Sequence, residues 1–207
     1  MRNKLLFALL LSFSASSVAE TVSLEYKGFF DRMKVLKKGE YHLVDLAFTV
    51  PNTHECTVQS GSITTENKDY ALSISPHQRL YLPFDEELKR DRALVNLNML
   101  GSAQGCGIGM QVRAKLIHQQ YNAKQVTALM DEMDDILDAL QGFPLKYFRD
   151  PIDGVTFDFG QQTDIHVIVD GKKVVVKQRY QLNRDTLAKI GKIQFSAKPV
   201  SVSPLVL

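Results

Sequence analysis

Apolar and polar residues alternate along several short stretches of the chain, and this alternation most limits how the chain can fold. Residues 44–50 place Val, Leu, Phe and Val at every second position, and Pro51 ends the run. Successive side chains of a strand point to opposite faces, so this run is typical of a half-buried β-strand. Residues 70–74, 95–99 and 108–116 alternate in the same way. The pattern predicts an antiparallel sheet or sandwich.

A β-hairpin is predicted near the C terminus, within residues 164–182. Asp170-Gly171 is a pair favoured in two-residue hairpin turns, because both positions need a positive φ. In that register Val169 lies opposite Lys172, and the apolar residues before and after the turn share a face. This hairpin is the clearest local structure in the sequence.

One long amphipathic helix is predicted before this hairpin. Asn122 is a suitable N-cap, and Gly142 followed by Pro144 marks the end. Apolar residues between these points fall at steps of three and four, which gives one continuous stripe. The stripe consists of Val126, Leu129, Met130, Met133, Leu137 and Leu140. The predicted fold class is therefore α+β: an antiparallel β sheet or sandwich with one long amphipathic helix and a C-terminal β-hairpin unit.

The chain divides into three segments. Residues 1–19 form a signal peptide, residues 20–120 a β-rich portion, and residues 121–207 the helix with the hairpin unit. The two later segments either share one core or form two domains, and the sequence leaves this open. Residues 140–154, with their glycines and prolines, are the expected joint. Residues 192–207 are predicted to form an extended tail.

The first residues have the features of a secretory signal peptide. Arg2 and Lys4 precede an apolar run at residues 5–13, and Ser17 and Ala19 supply small side chains before a cut after Ala19. The apolar run is shorter than the roughly 20 residues that span a bilayer. The sequence therefore predicts a periplasmic protein with no transmembrane segment in the mature chain.

The mature chain is expected to carry almost no net charge. Two of the 25 basic side chains lie in the leader, and the remainder balances the 23 acidic ones. A nucleic-acid partner is not expected, because such proteins carry a basic field. Residues 164–207 nevertheless hold a local basic excess. Its members are Lys172, Lys173, Lys177, Arg179, Arg184, Lys189, Lys192 and Lys198. They either dock an anionic surface, offset the acidic helix, or are simply solvated.

The two cysteines, Cys56 and Cys106, are expected to pair as a disulfide in an oxidising compartment. The alternative combines His54 with both cysteines as zinc ligands. This signal is weak, because a structural zinc site takes four ligands.

The helix contains the sequence DDILD, which has the D-D-x-x-D spacing of isoprenyl diphosphate synthases. Those enzymes bury a pair of such motifs in a large helical bundle, whereas this chain has one motif and many strands. Carboxylate oxygens do suit hard cations, so Asp131, Asp134, Asp135 and Asp138 are candidates for a weak divalent-cation site. The favoured interpretation is a solvent-facing acidic surface, with no metal and no cofactor.

Catalytic motifs are scarce. The sequence lacks G-x-S-x-G, S-x-x-K, H-E-x-x-H and a Walker loop. Its five histidines are scattered, and no catalytic residue is predicted. The expected function is a non-catalytic binding or assembly module of the cell envelope, with a protein or glycan partner. Two alternatives stay open: a periplasmic hydrolase whose site is not visible in the sequence, and a weak binder of divalent cations or anionic surfaces.

Three segments, residues 26–36, 82–97 and 106–116, carry a resemblance to known proteins. YKGFFDRMKVL, LPFDEELKRDRALVNL and CGIGMQVRAKL resemble a gammaproteobacterial family of exported proteins known as a domain of unknown function. The resemblance implies export and a pair of cysteines. It supplies no activity and no site residues.

Overall fold

The structure is a computed structural model, and it describes residues 20–51, 53 and 56–206. Over this part of the chain, short strands form four antiparallel sheets, and four α-helices accompany them. The predicted α+β class, dominated by antiparallel sheet, is confirmed. The predicted signal peptide, residues 1–19, lies outside the described residues.

Two sheets come from the first portion of the chain. Sheet A has the strand order β1 (Glu20–Glu25), β7 (Leu94–Met99), β3 (Val58–Thr64) and β4 (Asp69–Ala71). Sheet B has the order β5 (Ser73–Ile74), β6 (Arg79–Tyr81), β2 (Val44–Thr49) and β8 (Gly109–Ala114).

The other two sheets come mostly from the second portion. Sheet C has the order β12 (Lys172–Val176), β11 (Ile165–Val169), β14 (Lys192–Phe195) and β9 (Gln120–Asn122). Sheet D has the order β13 (Arg179–Asn183), β10 (Gly154–Asp158) and β15 (Ser201–Leu205). β15 also lies beside β8, which brings sheets B and D together.

The helices are α1 (Tyr26–Lys38), α2 (Glu86–Arg90), α3 (Ala123–Gln141) and α4 (Arg184–Leu187), with a 3-10 helix at Leu145–Phe148. In α1, Tyr26, Phe29 and Phe30 are buried on one face, because residues three and four apart in a helix point to the same side. Phe29 packs edge-to-face on Phe48 of β2, with ring centroids 5.1 Å apart. No helix in the described residues is long and apolar enough to cross a membrane.

The apolar stripe of α3 faces strands of both portions. Val126, Leu129, Met130 and Met133 are buried as predicted, and Ile136 joins them. α3 contacts β2 and β8 of the first portion and β10 of the second. The buried side chains of both portions form one contiguous hydrophobic cluster. α3 therefore packs against strands of both portions.

The turn at Asp170-Gly171 has the predicted conformation. Asp170 has a φ of 45° and Gly171 a φ of 84°, as a two-residue hairpin turn requires. Val169 lies opposite Lys172, which is the predicted register of β11 and β12.

Three strand predictions are wrong in detail. Residues 70–74 form not one strand but two, because the chain passes from sheet A to sheet B at Leu72. In residues 108–116, Met110 and Leu116 are exposed, although strand alternation places them on the same face as buried Val112. The expected extended tail instead supplies β14 and β15, since the open edges of β11, β9 and β10 pair with it.

The predicted disulfide is confirmed. Cys56 and Cys106 are bonded with Cα atoms 5.5 Å apart, and the bond links the loop after β2 to the loop before β8. The alternative that used both thiols as zinc ligands is therefore wrong, because zinc binds free thiolates. His54, its third proposed ligand, lies outside the described residues.

Candidate interaction site

Four large apolar side chains lie exposed directly after α3. The exposed fraction is 83% for Phe143, 60% for Leu145, 69% for Tyr147 and 81% for Phe148. We call residues 143–148 the aromatic segment. Apolar side chains gathered at one place on a surface mark sites of interaction, whereas single ones are ordinary. The aromatic segment is therefore the first candidate for contact with another molecule.

The backbone of the aromatic segment forms a compact turn. α3 ends at Gly142, whose φ of 72° suits a residue without a Cβ. The Lys146 N–H donates to the Gly142 carbonyl at 2.9 Å, and the Tyr147 N–H donates to the Pro144 carbonyl at 3.2 Å. The rings of Phe143 and Tyr147 meet edge-to-face with centroids 6.2 Å apart. These contacts fix the backbone of the turn and the ring pair of Phe143 and Tyr147.

Arg149, the residue after the aromatic segment, joins it to α3. Its Nε donates to Asp138 Oδ1 at 2.7 Å, and its Nη2 donates to Asp134 Oδ1 at 2.9 Å. The other oxygen of Asp134 accepts a hydrogen bond from Arg184 of α4. The Ile152 N–H also donates to Asp134 Oδ1, at 2.9 Å. One carboxylate of α3 therefore fixes the chain after the aromatic segment and the start of α4.

The central pair of this ion-pair cluster is largely shielded from solvent, whereas Asp138 and Arg184 are 42% and 41% exposed. The side chains of Asp134 and Arg149 are only 16% and 15% exposed. Burial by itself lowers the pKa of Arg149, but its hydrogen bonds to Asp138 and Asp134 outweigh burial and raise the pKa. The guanidinium thus stays charged. Removing Asp134 leaves the shielded Arg149 charge with only one of its two carboxylate partners, which is costly.

The acidic residues of α3 divide into two groups. Asp131 and Asp135 are exposed, as expected. Asp134 and Asp138 bind arginine, so the interpretation of the whole set as a solvent-facing acidic surface is wrong for these two. The physical reason is that both arginines come from segments outside the helix, Arg149 from the turn after it and Arg184 from α4, 50 residues from Asp134. A divalent-cation site on the four aspartates stays a prediction, and a cation there would compete with arginine.

No group of three or more His, Cys, Asp or Glu side chains in the described part of the chain is placed to hold a metal ion.

A second acidic contact joins α3 to sheet B. Glu132 Oε1 accepts hydrogen bonds from the Leu43 N–H at 2.7 Å and the Val44 N–H at 3.1 Å. Tyr41 lies beside the same face of the helix. Burial raises the pKa of the Tyr41 hydroxyl, and the negative charge of Asp135 and its acidic neighbours raises it further. α3 is thus fixed to β2 as well as to the aromatic segment.

The sequence pattern of residues 140–154 predicts only a joint. The signal for an interaction site was present, because large apolar residues follow Gly142 in a stretch with neither helical nor strand periodicity. Such residues have no element through which to reach the core. The ion pairs of Arg149 had no signal of this kind, since nothing in the sequence pairs it with Asp134.

Residues 18–159 match a family described as a protein of unknown function, DUF2987. The chain belongs to this family. Membership in a family of unknown function was predicted and is confirmed, while the gammaproteobacterial origin stays a prediction. The match includes α1, α3 and the aromatic segment. No curated protein and no solved structure matches the chain.

In this DUF2987 protein, the C-terminal basic residues fall into two groups. Arg179 binds Asp158 and Arg184 binds Asp134. The six lysines are exposed, and none has an acidic partner within 4.0 Å among the described residues. They are Lys172, Lys173, Lys177, Lys189, Lys192 and Lys198. Docking of an anionic surface at these lysines stays a prediction.

His42, His77, His118 and His166 of the DUF2987 chain lie in the part that the structure describes, and none of their imidazoles has a hydrogen bond to a described side chain. The hydrolase alternative stays a prediction.

Proposed function

We propose that this protein is a non-catalytic binding or assembly module of the cell envelope, and that it docks a partner protein through the aromatic segment. The observation that carries the proposal is the exposure of Phe143 and Phe148 on a segment fixed by ion pairs. In this proposal the one long helix and the C-terminal hairpin unit serve as the frame. α3 supplies the carboxylates, and α4, which follows the hairpin, supplies Arg184.

The energetics favour a contact made by a few large side chains. Aromatic residues in the centre of an interface carry most of its binding energy. Removing one Phe or Leu side chain fully from water contributes about 1.5–3 kcal/mol. The hydrogen-bonded turn and the Arg149 ion pairs already order the segment. A partner therefore loses less binding free energy to ordering than it would on a flexible loop.

Charge favours a protein partner over an anionic membrane. Within residues 143–150, all of which the structure describes, Lys146 is the single cation without a carboxylate partner. Asp150 offsets its charge. Recognition of anionic lipid typically uses clusters of about 4–8 Lys and Arg. An aromatic surface with almost no net charge fits an interface core instead, because such cores are depleted of charged residues.

The cell-envelope address rests on two observations. Residues 1–19 have the pattern of a signal peptide, and the Cys56–Cys106 bond fits an oxidising compartment. N-terminal sequencing of the protein from a periplasmic fraction tests the address directly. We expect Glu20 as the first residue; an intact Met1 in the cytosolic fraction would contradict the proposal.

The docking proposal is tested by photo-crosslinking in cells, with a photoreactive phenylalanine at position 148. The matched control carries the same residue at Leu116, which is 69% exposed and lies near the opposite end of α3. We expect a crosslinked protein from position 148 and none from position 116. Excess unlabelled protein should abolish the crosslink, and excess Phe143→Ser protein should not.

Two results would overturn this proposal. The same crosslinked proteins from both positions would show that exposed apolar residues of this chain are captured without selectivity. Crosslinks from position 148 to lipid alone would assign the aromatic segment to a membrane surface instead of a protein.

A further inference from the structure

A second feature, separate from the aromatic segment, is an open apolar cavity between sheet A, sheet B, α1 and the loop that carries Cys106. Its volume is about 450 Å³, within the range of about 300–1,000 Å³ that is usual for small-molecule sites. The walls are mainly carbon and sulfur atoms. They include Val22, Leu24, Phe29, Leu97, Met99 and Met110. Leu97 and Met99 are buried at the inner end, and Met110 is exposed at the mouth.

Gly28 lies at the mouth of this cavity, in the first turn of α1. Glycine within a helix is less favourable than alanine by up to about 1 kcal/mol. A Cβ at this position would meet no protein atom within 4 Å, so no contact inside the protein requires glycine. The missing side chain leaves the mouth wide, and a large residue there would project into the entrance.

Two charged side chains frame the mouth, Glu25 and Arg32. They are seven residues apart, about 10 Å along the helix axis, and they do not pair with each other. Arg32 Nη1 has one long hydrogen bond, to the Leu140 carbonyl at 3.4 Å. No carboxylate lies within 4.0 Å of Arg32 among the described residues. A guanidinium has five N–H donors, so most of those of Arg32 face solvent at the cavity mouth.

The negative charge of Glu25 lies at the N-terminal end of α1. Glu25 is the N-cap residue of α1, and the positive end of a helix dipole stabilises a carboxylate at that position. A ligand anion is therefore repelled from the Glu25 end and drawn to Arg32, which binds carboxylate and phosphate through two parallel hydrogen bonds.

We propose that this cavity binds one linear acyl chain whose anionic head group pairs with Arg32. A carboxylate of a free fatty acid and a phosphate of a lysophospholipid share this chemistry. The apolar walls take the chain, and the glycine at position 28 admits it. The site does not depend on the aromatic segment or on its partner.

The test is displacement of the fluorescent probe N-phenylnaphthylamine from the purified, oxidised protein. Palmitate, its neutral methyl ester, hexadecylamine and lysophosphatidylglycerol are each titrated below their micelle concentrations. We expect the anions to displace the probe and to bind about ten-fold more tightly than the amine, as one charge-assisted contact provides. If palmitate binds more tightly than lysophosphatidylglycerol, the ligand is a free fatty acid. The reverse order assigns a lysophospholipid.

Three variants locate the site. Arg32→Gln should weaken palmitate binding about ten-fold and leave binding of the methyl ester unchanged. Glu25→Gln should tighten palmitate binding. Gly28→Leu should abolish displacement while the melting temperature stays equal or rises, because leucine is a better helix former than glycine. Gly28→Ala is the matched control and should keep binding.

Several outcomes would overturn the proposal. Equal binding of palmitate and hexadecylamine would remove the role of Arg32. Probe displacement that persists in the Gly28→Leu protein would place the ligand elsewhere. Failure of palmitate and lysophosphatidylglycerol to displace the probe would leave the cavity without the assigned ligand. None of these results bears on crosslinking at position 148, so this proposal and the docking proposal fail separately.

Discussion

The two ends of α3 are fixed by contacts of very different range in sequence. At the N-terminal end, Asn122 and Gln125 form a reciprocal capping box, each bond 2.9 Å long. Near the C-terminal end, Asp134 binds Arg149 and also Arg184, which is 50 residues away. The capping box is thus set by four consecutive residues, although the Ala123 N–H also donates to the Gly191 carbonyl at 3.0 Å, whereas the Asp134 ion pairs depend entirely on residues outside the helix.

The disulfide does not involve α3. Its removal tests whether the contacts at the two ends of the helix hold without this covalent link. Replacing Cys56 and Cys106 by serine frees a loop with a sequence separation of 50. The free energy of unfolding should fall by at most about 4 kcal/mol on the chain-entropy account, as measured by urea denaturation. Amide protons at both ends of α3 should keep their hydrogen-exchange protection. Loss of protection at either end would show that the disulfide also stabilises that end of α3.

Replacing Asp134 by alanine should disrupt the contacts near the C-terminal end of α3. The change leaves two arginines without their shared carboxylate, and we expect a loss of about 3 kcal/mol in urea denaturation, since removing one partner of a shielded ion pair typically costs that much. Asp135→Ala is the matched control, because it introduces the same helix former at an exposed neighbour. It should change stability by no more than about 0.5 kcal/mol. Equal effects of the two variants would contradict the assigned role of Asp134.

Loss of the cap at the N-terminal end of α3 should lower the free energy of unfolding by a smaller amount. Asn122→Ala removes the side chain that accepts from the Gln125 N–H, and loss of such a cap typically costs about 1 kcal/mol. Asn122→Ser should restore most of this, since serine also caps well. Crosslinking at position 148 should be unchanged in both variants. A weaker crosslink in Asn122→Ala would mean that the two ends are coupled through the helix.

The smallest expected effect concerns Asp170, whose carboxylate accepts hydrogen bonds, among the described residues, from backbone N–H groups only. Hydrogen bonds from the Gly191 N–H and then the Lys192 N–H lower the pKa of Asp170 below its ordinary value of 3.8. A lowered folded-state pKa gives stability that is complete above the ordinary value and is lost as the pH falls through the folded value. Between about pH 5 and pH 2, Asp170→Asn should therefore lose less stability than the native chain.

Carbon-13 NMR titration of the Asp170 carboxyl checks the pKa itself. A titration midpoint at or above the ordinary value would remove this contribution.

Local features were predictable because their partners lie close in sequence. The cap at Asn122, the helix end at Gly142 and the turn at Asp170-Gly171 each rest on a few neighbouring residues. The disulfide was predictable for another reason, since a chain with two cysteines in an oxidising compartment has one possible intramolecular pairing.

The errors share a different cause, which is dependence on distant segments. Residues 192–207 looked like a tail, because nothing near them in sequence shows the strand edges that they complete. Residues 70–74 looked like one strand, because alternation does not reveal that the chain changes sheet at Leu72. Asp134 looked solvated for the same reason, since its partner Arg184 lies beyond the hairpin.

The pairing of β14 with β9, and of β15 with β10, has a consequence for the order of events during synthesis. Val202 of β15 is buried in the same core as residues from the first portion. A ribosome-bound chain that lacks β15 leaves this part of the core uncovered, so the core cannot close before β15 has been made. A core that closes only at that stage suits the export proposed here, in which the protein crosses a membrane before it folds.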